Sequence, residues 1–129
     1  MADRQHLFLH REARPIPELD APWPGVVLAG APRTVTSNGY ASADGRLLMG
    51  VWESTPGTWA IDYLDWEYCH LLQGRCVITP EGGEPVELTA GDVFIIEPGL
   101  KGTWEVLETV RKYYVFQLSL PSGADRGLG

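Results

Sequence analysis

Turn-forming residue pairs that contain glycine interrupt the sequence at short intervals. The pairs are Asn38-Gly39, Asp44-Gly45, Pro56-Gly57, Gln73-Gly74, Gly82-Gly83, Gly91-Asp92 and Pro98-Gly99. Turns spaced mostly about eight to twelve residues apart, with strand-length segments between them, are typical of a β-sandwich or a β-barrel. No long segment with a helical period separates the strands, which argues against a parallel α/β sheet. We therefore predict an all-β domain.

The segments between these turns are apolar or alternate between apolar and polar residues. They cover residues 46–53, 58–62, 67–72, 75–79, 86–89, 93–96 and 112–118. A tight turn at Gln73-Gly74 would place Cys69 and Cys76 on neighbouring strands. Cys69 would then be only diagonal to Cys76, at roughly 7 to 8 Å, which is too wide for a relaxed disulfide. We predict two reduced thiols that serve as small buried apolar groups.

One segment has a competing helical pattern. Residues 105–112 have helical propensity, and Glu108 and Lys112 form an i, i+4 pair that would support a helix. Val110 and the Tyr, Val and Phe residues at 113–116 favour a strand. We predict two strands that are joined near residues 107–109.

The N-terminal region differs in composition from the rest. Arg14-Pro15-Ile16-Pro17 and Ala21-Pro22-Trp23-Pro24 place four prolines close together, which excludes a helix interior and a central strand. We predict an extended arm at residues 1–30, anchored by Trp23, that packs on the barrel or on the partner in a homodimer. Residues 31–120 would form the barrel, and residues 121–129 a disordered tail.

Charge and length exclude several classes of protein. The 129 residues suffice for one domain, and 10 Lys and Arg against 17 Asp and Glu give a formal net charge of −7. This sign is unfavourable for binding nucleic acid phosphates. No apolar stretch approaches the roughly 18 residues of a membrane span, and the first six residues are acidic and polar where a secretory signal needs an apolar run, so we expect no signal there. We predict a cytoplasmic protein that binds neither nucleic acid nor membranes.

Four motifs follow one another along the chain, at residues 50–54 with 57–59, 67–74, 90–104 and 110–114. Together they resemble the cupins, and within them the small subgroup that includes the ureidoglycine aminohydrolase cupin domain and the ethanolamine-utilisation protein Q. The resemblance implies a double-stranded β-helix, or jelly-roll barrel, with a ligand cavity at one mouth. It also implies a position for a divalent metal, held by three histidines and a glutamate.

Most of those metal ligands are missing. The histidine positions of the family hold other residues: Ala60 and Asp62 at the common spacing from Glu67, Ile61 and Tyr63 at a spacing shorter by one, and Gly102 in the second motif. His6 and His10 lie in the predicted arm, and His70 is an odd number of residues from Glu67, so it points to the other face of a strand. We predict no metal cofactor, with a weakly held metal at Asp62, Glu67 and Tyr63 left open as the alternative.

Glu67 is the candidate catalytic residue. A carboxylate that faces an apolar interior has a raised pKa and can act as a general acid or base, or anchor a ligand amine or hydroxyl. It could equally be a buried acid bonded to a neighbouring tyrosine or backbone donor. The predicted ligand-binding residues around it are Trp59, Asp62, Tyr63, Trp104 and Tyr113, although the register that decides which of residues 112–114 face inward is left open.

The leading functional hypothesis is a homodimeric cupin without the histidine metal centre that binds a small polar or nitrogen-containing molecule. The alternative is an enzyme, which would be a metal-dependent hydrolase or isomerase of ureidoglycine aminohydrolase type with unconventional ligands. A structural or assembly-linked cupin is a third hypothesis. Whether the protein is an enzyme is left open.

Overall fold

The computed structural model describes residues 6–9, 21–22 and 25–119, and this part of the chain contains strands and no helix. The nine strands are β1 Ala21–Pro22, β2 Val27–Gly30, β3 Arg33–Ala41, β4 Leu47–Ser54, β5 Gly57–Asp62, β6 Trp66–Pro80, β7 Val86–Thr89, β8 Val93–Ile96 and β9 Lys101–Gln117. The predicted all-β class is confirmed.

Two long antiparallel strands, β6 and β9, form the spine of the fold. Their pairing runs from Trp66 opposite Gln117 to Pro80 opposite Gly102. The first half of β9 also pairs with β5 and its second half with β4, while β6 pairs first with β8 and then with β7. The strands therefore form two faces, in the orders β1-β3-β4-β9-β6-β8 and β2-β5-β9-β6-β7. This curled sheet is the predicted jelly roll.

A bulge at Gly74 bends β6 from one face to the other. The register with β9 shifts three times between Leu71 and Cys76, and Gly74 has a φ of 88°. A Cβ at Gly74 would collide with the backbone carbonyl oxygen of Thr109 in β9. Because the bulge adds a residue to one strand, the buried positions of β6 change from odd numbers before the bend to even numbers after it.

The predicted tight turn at Gln73-Gly74 is therefore wrong, because the glycine bends one strand instead of joining two. Cys69 and Cys76 lie on the same strand, on either side of the bend. Both are buried free thiols, as predicted.

The predicted break at residues 107–109 is also wrong, since β9 continues through them as one strand. The preference for strand over helix at residues 105–112 is confirmed. Pairing with both β4 and β5 decides this segment, and tertiary pairing overrides its local helical propensity.

The predicted arm at 1–30 is described only in part. Within it, β1 pairs with β3 and β2 pairs with β5, while Phe8 contacts Tyr40 with 5.3 Å between ring centroids. Trp23, His10 and the predicted tail at 121–129 lie outside the described residues. In the described part, no helix has the length and hydropathy needed to span a membrane.

Side chains from both faces fill the interior of the barrel. The buried aromatic and aliphatic residues include Trp52, Trp59, Ile61, Tyr63, Leu71, Ile78, Trp104, Val106, Tyr114 and Phe116. Among the described residues, three charged side chains are buried with them, namely Asp65, Glu67 and Lys112. Since buried charges are rare unless they are paired, these residues mark the part of the interior to examine for function.

Candidate functional site

Glu67 lies inside the barrel with both carboxylate oxygens hydrogen-bonded. The Tyr63 hydroxyl donates to Oε1 at 2.7 Å, and the Lys112 ammonium donates to Oε2 at 2.9 Å. The side chains of Glu67 and Lys112 are each 0% exposed. Tyr63 precedes β6 in a loop that is fixed by backbone hydrogen bonds to Gly99 and Leu100. The hydroxyl, carboxylate and ammonium groups therefore form a fully buried chain of hydrogen bonds in a fixed arrangement.

The Lys112 ammonium is also surrounded by aromatic rings. Its Nζ lies 4.5 Å from the ring centroid of Trp104 and 4.7 Å from that of Trp52, and 3.7 Å from the Cys69 Sγ. An indole face attracts a cation through its quadrupole, and more strongly when the cation is desolvated. The positive charge of Lys112 is thus stabilised by a carboxylate on one side and by two indole faces on other sides.

Three tryptophans pack together beside this charge: Trp52, Trp59 and Trp104, which we call the tryptophan cluster. The rings of Trp59 and Trp104 stack at 6.2 Å with an interplanar angle of 15°. Trp52 packs edge-on against both, at 6.0 and 5.8 Å. The three rings meet because successive halves of β9 pair with β5 and with β4, which places Trp59 opposite Trp104 and Trp52 opposite Lys112 in the pairing register.

Burial perturbs the titration of each polar group. Burial raises the pKa of the Glu67 carboxyl above its ordinary value, against the opposing effects of Lys112 and Tyr63. Burial alone lowers the pKa of Lys112, but Cys69 and Glu67 more than offset it, so its pKa is raised. Burial and the neighbouring Glu67 raise the pKa of Tyr63 well above its ordinary value. Tyr63 therefore stays a neutral donor at physiological pH, and Lys112 stays an ammonium.

The structure brings four of the predicted site residues together and leaves two apart. Glu67, Tyr63, Trp59 and Trp104 share the interior. Asp62 is exposed, because the inward face of β5 is taken by alternate residues that include Trp59. Tyr113 lies on the face of β9 opposite to that of Lys112, with its ring 6.4 Å from that of His70. Asp62 and Tyr113 therefore do not line the interior with Glu67.

Sequence reasoning did not place Lys112 and Trp52 in the site. The sequence leaves the direction of Lys112 open, because it depends on the register of residues 112–114. One signal was present: Trp104 and Lys112 are an even number of residues apart, so a single unbroken strand places both on one face. The predicted break at residues 107–109 separates Trp104 from Lys112, so this inference could not be made. Trp52 carries no comparable signal, because its role depends on pairing between β4 and β9.

The positions of the family's metal ligands can now be assigned to a face of the barrel. Ala60 and Asp62 are exposed, whereas Ile61 and Tyr63 are buried, so the shorter spacing from Glu67 gives the inward positions. Gly102 has a φ of 157°, and a Cβ there would collide with the Thr79 carbonyl oxygen.

An isoleucine, a phenol and a glycine thus stand where imidazoles would be needed. Among the residues that the structure describes, no group of three His, Cys, Asp or Glu side chains could hold a metal ion. Asp62 does not join Glu67 and Tyr63, so the oxygen-rich alternative is not assembled either. The donor set does not fit a cupin metal centre, and the absence of a metal cofactor stays a prediction.

The family follows from the sequence match together with this architecture. The family model of the EutQ-like cupin domain matches residues 41–114. The chain belongs to the EutQ-like cupins. The match covers β4 to β9 almost completely and includes Glu67, Lys112 and the tryptophan cluster. It confirms the EutQ-like part of the predicted resemblance.

Solved structures with the same fold include a protein of unknown function from the DUF861 family and two EutQ proteins. A protein of unknown function from Pseudomonas syringae pv. tomato is 26% identical, with a TM-score of 0.67, over 88% of this chain and 46% of that one. EutQ from Clostridium difficile is 21% identical, with a TM-score of 0.60, over 72% of this chain and 71% of that one.

The ethanolamine utilization protein Q of Salmonella typhimurium is also 21% identical, with a TM-score of 0.60, over 68% of this chain and 72% of that one. The chain thus spans about half the length of the Pseudomonas protein. No curated protein matches the sequence. These similarities establish the predicted cupin fold.

Proposed function

We propose that this EutQ-like cupin binds a small polar or nitrogen-containing molecule inside its barrel, without a histidine metal centre. The observation that carries the proposal is the fully buried Tyr63–Glu67–Lys112 chain beside the tryptophan cluster. A buried ion pair contributes little to stability, and replacing one with packed apolar side chains is often neutral or stabilising. Charged groups kept inside a barrel therefore favour a functional role.

The chemistry of the site suggests which molecules would fit. The Glu67 carboxylate accepts hydrogen bonds, and the Lys112 ammonium donates them. A ureido or amide group carries N–H donors beside a carbonyl acceptor, so it complements both side chains at once. The indole N–H of Trp104 is buried without a partner of good hydrogen-bond geometry in the described part of the chain, although it lies near enough to Cys76 to lower the pKa of that thiol. A ligand acceptor could satisfy this donor.

Entry to the site requires movement. Glu67, Lys112, Trp59 and Trp104 are all 0% exposed, so a ligand must displace a side chain or enter through a local opening of the strands. We therefore expect slow association and a clear stabilisation of the folded state on binding.

An enzymatic function of ureidoglycine aminohydrolase type is the second candidate. Its support is the resemblance of the motifs and the raised pKa of Glu67, which suits a general acid beside a fixed ammonium. A metal-dependent version would need ligands other than histidine, and the described residues do not assemble such a set. The third candidate, a structural or assembly-linked cupin, predicts co-purification with a partner protein and no response to small molecules.

A thermal-shift screen of ureido compounds, amides, amino acids and sugars tests the proposal. A ligand at about 100 times its Kd should stabilise the protein by about 2.7 kcal/mol. The shift should disappear in Glu67→Gln and persist in Asp62→Asn, because Asp62 lies on the outer face. A ligand that shifts Glu67→Gln as much as the wild type would refute the site, and product formation from a ureido compound would favour the enzyme.

The homodimer and the cytoplasmic location belong to the same proposal. In support of the dimer, Val93 and Ile95 on β8 are 54% and 47% exposed, and within the described chain β8 pairs with β6 alone, which makes it an edge strand. An exposed apolar edge strand is a template for pairing with another chain.

A further inference from the structure

The Lys112 ammonium is bound by the one residue that this chain keeps from the cupin metal ligands. Glu67 faces inward and would be a metal ligand in a metal-dependent cupin, but its Oε2 accepts a hydrogen bond from Lys112. The inward positions Ile61 and Tyr63 carry no imidazole, and Tyr63 bonds the other carboxylate oxygen. We infer that the Lys112 ammonium is the resident cation of this barrel, and that the groups around it form a binding site for a small primary ammonium ion.

The contacts select an organic ammonium over a divalent metal. A metal ion needs several lone-pair donors at short distances, but the described residues assemble no group of three His, Cys, Asp or Glu side chains here, and Tyr63 already bonds one oxygen of Glu67. The faces of Trp52 and Trp104 donate no lone pair, but they attract a cation of low charge density. The Cys69 sulfur at 3.7 Å is a weak acceptor for an N–H group.

The lysine side chain is in effect a ligand attached to β9. Substitution of Lys112 by Ala keeps the Cβ and removes three carbons with the ammonium group, which together correspond to n-propylammonium. The removed atoms come from a site that is 0% exposed, and Glu67 and the tryptophan cluster remain on its walls. Free n-propylammonium should therefore refill the site in the Lys112→Ala variant.

Thermal unfolding of Lys112→Ala in the presence of alkylammonium chlorides tests this inference. n-Propylammonium should raise the Tm in a saturable way and more than methylammonium or n-hexylammonium does, because only its length matches the missing atoms. Potassium and n-propanol, which lack the organic ammonium group, should have no saturable effect. In Lys112→Ala/Glu67→Gln the affinity for n-propylammonium should fall about tenfold or more, since a hydrogen bond to a charged group is lost.

Two control proteins keep the test specific. In Lys112→Met an uncharged side chain of similar length fills the space, so n-propylammonium should not shift its Tm. Lys101→Ala changes the other lysine of the sequence, which is exposed, and should respond like the wild type. Two results would overturn the inference: a folded Lys112→Ala that no alkylammonium stabilises, or one that Mn²⁺ or Zn²⁺ stabilises in a Glu67-dependent way instead.

A measurement on the wild type covers the case in which Lys112→Ala does not fold. Because Lys101 and Lys112 are the two lysines of the sequence, NMR of lysine-labelled protein gives two sets of signals. The side-chain protons of Lys112 should be shifted upfield by the rings of Trp52 and Trp104, and its ammonium should exchange slowly, whereas Lys101 should behave as an exposed lysine. Two equivalent sets of signals would refute the buried cation.

The inference is independent of the proposed function. A wild type that ignores every compound in the ligand screen removes the proposed function, but it leaves the ammonium site in Lys112→Ala unaffected. Conversely, a ligand could stabilise the wild type while n-propylammonium does not stabilise Lys112→Ala. That pair of results would support the proposed function and refute the ammonium site.

Discussion

The side chains of Glu67 and Lys112 depend on each other in the barrel interior. Each is fully buried, and each has its partner at 2.9 Å. Removing water from a single charge costs several kcal/mol, and the attraction of a well-placed partner offsets that cost. The faces of Trp52 and Trp104 add a second attraction for the ammonium alone. We therefore expect the loss of one charge to be worse than the loss of both.

A double-mutant cycle measures this dependence. Lys112→Met and Glu67→Leu should each lower the free energy of unfolding by about 3 to 5 kcal/mol, because the remaining charge is left unpaired. The double variant should lose less than the sum of the two, as measured by urea unfolding. The exposed pair Arg75 and Glu108, at 2.8 Å, is the control, with a coupling below about 1 kcal/mol. Equal coupling in the two pairs would contradict the role of burial.

The thiol of Cys76 gives the protein a pH dependence in the alkaline range. Burial raises the pKa of Cys76 to about 11. Because the folded-state pKa lies above the ordinary value of 9.0 expected in the unfolded chain, the neutral thiol contributes stability that is fully present below about pH 9 and is lost as the pH rises through 11. Urea unfolding should show the wild type losing about 2 kcal/mol more than Cys76→Ala between pH 8 and pH 11. Parallel losses in the two proteins would show that Cys76 does not titrate in this way.

At this scale, the sequence predicted part of the candidate site. The inward direction of Glu67 follows from the family motif, and Trp59, Tyr63 and Trp104 were placed near it because each is tied to the two cupin motifs; all four are buried. Lys112 could not be placed, because its direction depends on whether β9 is continuous through residues 107–109. That continuity is set by pairing with strands far away in the sequence, which local patterns do not contain.

At the scale of elements, the two errors of prediction both fall on the long strands β6 and β9, whereas short strands were predicted well. β7 and β8 were predicted to the residue, since turn pairs bound each of them on both sides. Gln73-Gly74 has the composition of a hairpin turn, but a glycine with positive φ serves equally well in a bulge. The neighbouring strand distinguishes the bulge from a hairpin turn: at Gly74 the backbone of β9 approaches too closely for any side chain.

Substitution of Gly74 tests this close approach. Gly74→Ala should lower the free energy of unfolding by more than about 2 kcal/mol, because it combines an unfavourable φ with a collision against the backbone of Thr109. Gly91→Ala is a matched control, since Gly91 has a φ of 98° with nothing within 4 Å of a Cβ there. It should lose only about 1 kcal/mol. Urea unfolding gives both values, and equal losses would mean that the bulge tolerates a side chain.

At the scale of the whole molecule, the shared strands β6 and β9 couple the two faces of the barrel. Trp52 comes from β4 on one face and Trp59 from β5 on the other, and their rings meet beside Trp104 because successive halves of β9 pair with these two strands. The faces end in different edge strands within the described chain, β8 on one and β7 on the other. Each edge exposes apolar side chains, with Val93 and Ile95 on β8 and Val86 on β7.

The two edges allow a controlled test of the proposed homodimer. The outward positions of β8 carry two exposed apolar side chains, Val93 and Ile95, next to Tyr68 and His70 in the pairing register. If this edge is the dimer interface, light scattering should show that Val93→Lys/Ile95→Lys is a monomer. Thermal unfolding of that monomer should still be cooperative. Lysine on an edge strand opposes association without disturbing the interior.

Val86→Lys is the matched control, because Val86 is 48% exposed on the opposite edge. It should leave the dimer intact. A wild type that is already monomeric at high concentration would refute the dimer. If Val86→Lys is a monomer and the β8 variant is a dimer, the dimer interface lies at β7 on the other face.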